Sequence, residues 1–106
     1  MTTKALPTLP DIEQDTRDST KQDYLPLYKV VMWDDNVTTM EFVVRILMKI
    51  FGKDLQTSER LMYEVHYNGN AVADTMPLER AEFKVEQVHF AATLEEFPFK
   101  CTIEPL

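Results

Sequence analysis

The chain changes its hydrophobic period several times, and each change marks an element. Tyr28-Lys29-Val30-Val31-Met32-Trp33 is rich in β-branched and aromatic residues, the content of a strand mostly buried on both faces. Asp34-Asp35-Asn36-Val37 ends it as a turn. Phe42, Val43, Ile46, Leu47, Ile50 and Phe51 then recur at helical spacing. Thr38 and Glu41 carry the Thr-x-x-Glu spacing of a capping box, so a helix is predicted from about Thr39, with Gly52 as its left-handed stop. A second helix is predicted from near Asp54, an N-cap candidate, turning Leu61, Met62 and Val65 inward before Asn68-Gly69 ends it. The two helices make a hairpin. Ala71 to Thr75 reads as a short strand, and Pro77 suits the first turn of a third helix, where its missing N–H costs nothing. Leu78, Ala81, Val85, Val88 and Ala92 form that helix's core stripe, and Phe99, Cys101 and Ile103 alternate with Lys100, Thr102 and Glu104 as in a half-buried strand.

The order βααβαβ predicts an α+β domain over residues 27–106, a three-stranded antiparallel sheet with three helices packed on one face. Residues 1–26 hold three prolines, many acids and hydroxyls and few apolar side chains, and read as a mobile N-terminal extension. A chain of 106 residues allows one small domain, and an apolar content of 44% suffices for its core. The net charge of -7, with no basic stripe, argues against nucleic acid and anionic membranes as partners. Arg45 and Lys49 interrupt the longest apolar stretch, and no signal-peptide layout opens the chain. Cys101 is the sole cysteine and reads as a small buried residue in a reducing compartment, so the expected location is cytoplasmic.

Two clusters carry candidate chemistry. Met62, Val65 and His66 share one side of the second helix, and the acidic turn Asp34-Asp35-Asn36 is the natural complement. Carboxylates and a neutral imidazole are acceptors, so beside an apolar hollow they suit a molecule with a cationic, donor-rich end, such as a protein α-amino group next to a large apolar side chain. The same residues also serve as an ordinary turn, a cap and a helix-end histidine. A metal is a rival use of Asp34, Asp35 and His66, but the ligands are few and no helical His-x-x-x-His or Cys pair joins them. With no paired nucleophile and no glycine-rich phosphate loop, neither an enzyme nor a cofactor is expected. The second cluster is the outer side of the third helix, with Glu79, Glu82, Phe83 and Glu86 and Lys84 nearby; its aromatic makes a docking surface worth testing against a plain solvated face.

Four segments, Tyr28-Lys29-Val30-Val31, Asp34 to Val43, Leu61 to Gly69 and Cys101-Thr102-Ile103-Glu104, closely resemble the Clp protease adaptor S family, ClpS, across residues 27–106. The resemblance implies a non-enzymatic, monomeric adaptor that binds N-degrons, substrates beginning with Leu, Phe, Tyr or Trp, and hands them to a AAA+ unfoldase of the ClpA or ClpC type. It implies that Asp34, Asp35 and His66 hold the α-amino group, that Thr38, Met40, Val43, Met62, Val65 and Phe99 line the side-chain pocket, and that Glu79 and Lys84 contact the unfoldase N-domain. The N-terminal extension corresponds to a segment engaged by the unfoldase during delivery. This sequence departs from the family pattern in three places. Asp34-Asp35-Asn36 replaces Asn-Asp-Asp, Thr38-Thr39-Met40 replaces Thr-Pro-Met, and Phe99 stands where an aliphatic residue is usual. The alternative is a ClpS-fold regulator that docks on the unfoldase without reading N-termini, with a small acid hydrolase as a distant third.

Overall fold

The computed structural model describes residues 25–106, so most of the expected extension at residues 1–26 lies outside the described residues. The elements are β1 (Leu27–Trp33), α1 (Met40–Lys49), α2 (Leu55–Asn68), β2 (Asn70–Pro77), α3 (Leu78–Leu94) and β3 (Lys100–Pro105). The strands form an antiparallel sheet in the order β2-β1-β3. Val30 and Met32 of the central strand join Ala71, Ala73 and Met76 of β2 and Cys101 of β3 in one core with the helices. Val31 is buried as well, and beside it the Trp33 indole Nε1 donates to the Thr102 hydroxyl at 2.8 Å. The strand is thus covered on both sides at its centre, as its composition predicts.

Both hairpin helices are capped by side chains. Thr39, not Thr38, is the N-cap of α1, its hydroxyl accepting from the Phe42 N–H at 3.2 Å. The predicted capping box therefore does not form: Thr38 is withdrawn from the helix because its N–H and its hydroxyl both donate to Asp35, at 2.7 Å each. Glu41 remains in the first turn, where a carboxylate favours the helix dipole. At α2 the Asp54 carboxylate accepts from the Thr57 N–H at 2.8 Å, and Gly69, at φ 89°, closes the helix in the left-handed region that a side chain would strain.

The third helix differs from expectation at its start. Pro77 keeps an extended backbone (φ -60°, ψ 154°) and ends β2, so α3 begins at Leu78. Ala81, Val88 and Ala92 are buried and Val85 packs against the core, but Leu78 is 40% exposed. The reason is the sheet's edge: Leu27 pairs with Pro77 as the last rung of the β1–β2 ladder, so the strands stop where α3 starts. Two contacts fasten α3 to the hairpin. Lys84 Nζ donates to the Ile50 carbonyl at 2.8 Å, serving the C-terminal end of α1, and Arg45 makes a two-pronged pair with Glu95 at 2.6 and 3.2 Å. Burial pushes the Cys101 thiol up to about 12, so it stays protonated.

Candidate functional site

Thirty-two positions separate Asp34 from His66 in sequence, and the ladder brings them together. Trp33 pairs with Asn70, and β2 begins directly after α2, so the end of β1 lies beside the end of that helix. The Asp34 N–H then donates to the Gly69 carbonyl at 2.9 Å, which fixes the turn against the C-cap of α2. As a result Asp34 Oδ1 lies 4.0 Å from His66 Nδ1.

The two acids of the turn have different work. Asp35 is committed to the backbone: Oδ1 accepts from the N–H groups of Val37 and Thr38, and Oδ2 accepts from the Thr38 hydroxyl. Burial alone pushes its carboxyl up, but those three hydrogen bonds together outweigh it and hold Asp35 below the usual carboxylate range. Asp34 is less committed, and its carboxylate faces the imidazole beyond direct hydrogen-bond distance. Two acceptors 4.0 Å apart can each lie about 2.9 Å from one donor nitrogen placed between them.

Beneath these polar groups is a hollow of about 470 Å³. Asp34, Asp35, Thr38, Met40 and His66 line its polar side and rim, and Val43, Met62 and Val65 form its buried apolar part. Asn36 of the acidic turn lines it too, as do Thr39 and Glu41, which the sequence suggests only as part of the helix start; all three lie in the unbroken run from the turn into α1. Phe99 is not among the lining residues. It is 4% exposed and stands edge-on to the buried Phe42 ring, 5.9 Å between centroids, while Phe97 meets the same ring at 5.1 Å. Its aromatic ring is taken up by that core cluster, where edge-to-face pairs are favourable. Among the described residues no group of three or more His, Cys, Asp and Glu is placed to hold a metal ion.

The second cluster sits elsewhere. Glu79, Arg80, Phe83 and Lys84 line a shallow depression of about 430 Å³ on α3. Phe83 is 59% exposed, whereas Lys84 is half-buried with its ammonium on the Ile50 carbonyl. Arg80, not singled out from the sequence, is the more exposed cation here.

The sequence profile of the ClpS family, described as ATP-dependent Clp protease adaptor protein ClpS, matches residues 23–102. The ATP-dependent Clp protease adapter protein ClpS of Desulforapulum autotrophicum is 41% identical over 97 residues, spanning 90% of this chain and 93% of its own. The protein of the same name from Salmonella arizonae is 41% identical over 93 residues, 88% of this chain and 86% of its own. Among solved structures, Agrobacterium tumefaciens ClpS2 bound to L-phenylalaninamide matches with a TM-score of 0.74 and 32% identity, over 76% of this chain and 98% of that one.

Proposed function

The chain belongs to the ClpS family of Clp protease adaptors, and on that premise we propose that it captures proteins by a free N-terminal Leu, Phe, Tyr or Trp and delivers them to a ClpA- or ClpC-type AAA+ unfoldase. The observation that carries this reading is the placement of the Asp34 carboxylate and the His66 imidazole, 4.0 Å apart, over the apolar floor of Val43, Met62 and Val65. An α-ammonium between them donates to both, and Asp34 adds charge attraction to the hydrogen bond. The first side chain then descends past Met40 onto the floor, where each buried CH₂ contributes about 0.8 kcal/mol. Asp35 acts on the substrate through the turn, keeping Asp34 and Thr38 at the rim. L-phenylalaninamide, the ligand of the ClpS2 neighbour, has the same two parts, a free amino group and a benzyl side chain.

Delivery falls to the outer face of α3, where Glu79, Arg80, Phe83 and Lys84 offer charge around an exposed aromatic to the unfoldase N-domain. The N-terminal residues 1–26 are the segment for the unfoldase to engage. In this reading the protein is a cytoplasmic, non-catalytic monomer; among the described residues no helix is long and apolar enough to cross a membrane.

Fluorescence anisotropy with a Phe-initiated peptide and its N-acetylated twin tests the reading. The free peptide is expected to bind and the acetylated one to lose binding, because acetylation removes both the charge and two of the donors. Equal binding of the two, or of neither, overturns it and favours a regulator that docks without reading N-termini.

A further inference from the structure

A second depression opens from the first. Met40, Val44 and Met48, four residues apart on α1, form one bank, Met62 and Tyr63 of α2 form the other, and the volume is about 650 Å³. Met40, Glu41 and Met62 line both depressions, so they are continuous across the Met40 rim. Met48 is 40% and Tyr63 47% exposed, so apolar surface continues on both banks, with Lys49 and Glu59 also lining the depression. Tyr63 stacks on Tyr67 at 6.0 Å, and the Tyr67 ring meets the His66 imidazole edge-on at 4.9 Å. An aromatic ladder thus leads from the groove back to the amino-group acceptors.

We propose that this groove receives residues 2 to 4 of the captured chain in extended form and favours apolar side chains there; the inference rests on the N-degron reading above. A chain whose amino group lies between Asp34 and His66 has to leave the hollow over a rim. The side formed by Asp34, Asp35 and Asn36 is a polar turn, whereas the Met40 side opens directly onto apolar surface. The lengths agree. The eight helical steps from Met40 to Met48 span about 12 Å, the reach of three to four residues of extended chain at about 3.3 Å each. The chemistry fits a class of side chains more than a single one, because methionine is flexible and polarizable and adapts to different apolar partners. Arg45 on the same bank is already paired with Glu95 at 2.6 Å, so the thioether rail, and not that guanidinium, is what a passing chain meets.

The test uses the full chain and three probes: a peptide beginning Phe-Leu-Leu-Leu, one beginning Phe-Ser-Gly-Ser with the same tail, and L-phenylalaninamide as a competitor that ends before the groove. The Leu-rich peptide is expected to bind about three- to tenfold tighter than the Ser-Gly peptide, the effect of partly burying one or two apolar side chains. Met48→Glu should erase that difference and leave competition by phenylalaninamide unchanged; Tyr63→Ser, on the opposite bank, should do the same. Equal affinity of the two peptides in the wild type, or a difference that survives both substitutions, overturns the proposal while leaving capture of the first residue intact. Failure of phenylalaninamide to compete at all overturns the N-degron reading itself. If Met48→Glu instead alters self-association in sedimentation and leaves the peptide ranking untouched, the groove belongs to a second copy of the chain and the proposal falls.

Discussion

The hollow between turn and hairpin and the outer face of α3, the two surfaces of the proposed function, are built in opposite ways. The hollow is assembled from residues far apart in sequence, and the placement of its two proposed acceptors, Asp34 and His66, is set by a strand ladder and one Asp34–Gly69 hydrogen bond. The α3 face comes from a single run, residues 79–84, presented by one helix and open to solvent around Phe83. A concave site with few, positioned polar groups depends on each of them. An exposed helix face spreads its energy, with the aromatic as its anchor. Single substitutions should therefore be severe in the first region and graded in the second.

The largest effect is expected at the acceptors. Asp34→Ala and His66→Ala should each weaken binding of a Phe- or Leu-initiated peptide by more than tenfold, since a charge-assisted hydrogen bond contributes about 1.5 to 3 kcal/mol. Isothermal titration calorimetry measures it, and wild-type affinity in both folded variants would remove the site from this hollow. A smaller effect is expected on α3. Glu79→Lys combined with Phe83→Ala should impair degradation of a reporter bearing an N-terminal Leu in a reconstituted Clp protease assay, and leave the peptide affinity within about twofold. Parallel loss of both activities at wild-type stability would break the contrast between the regions.

The smallest effect concerns Asp35, and it separates structural from contact roles within the hollow. Its folded pKa is depressed, so its contribution to stability is fully present above the unfolded value of about 4 and is lost as pH falls through the lower folded value. Asp35→Asn, which keeps an acceptor oxygen, should blunt the loss of stability between pH 4 and pH 2 in urea melts. Asp54 and Glu95, also depressed by their hydrogen bonds, should preserve the rest of the acid transition. An unaltered acid limb would show that the turn does not depend on Asp35 in its charged form.

Much of this was legible in the residues because local rules dominate there. Asp54 and Gly69 cap α2 as their types dictate, and Val43, Met62 and Val65 reach the hollow because helical spacing puts them on its side. What the sequence withheld is tertiary. The N-cap moved from Thr38 to Thr39 because Asp35 competes for Thr38, a contest between two legitimate local patterns. Phe99 is buried, as its alternation with Cys101 predicts, but it precedes β3, and a period of two says nothing of which neighbour, here Phe42, receives the ring. Lys84 reads as a surface cation until the packing of α3 against the end of α1 supplies the Ile50 carbonyl.

The sheet has two borders, and one of them, β3, is dressed in a way that bears on how the protein behaves at high concentration. The Cys101 N–H points away from β1 and donates to His89 Nε2 on α3 at 3.1 Å. Because backbone donors alternate along a strand, the outward set on β3 is Cys101, Ile103 and Pro105, and proline has no N–H to offer. An imidazole thus occupies one of the three outward positions, a ring closes another, and Ile103 alone keeps a donor of this kind. Strand-to-strand polymerisation needs a run of such donors, so this border is a poor template for filaments. The protection of that border therefore comes from a side chain of the helix layer and not from the sheet itself, which ties colloidal behaviour to the single residue His89.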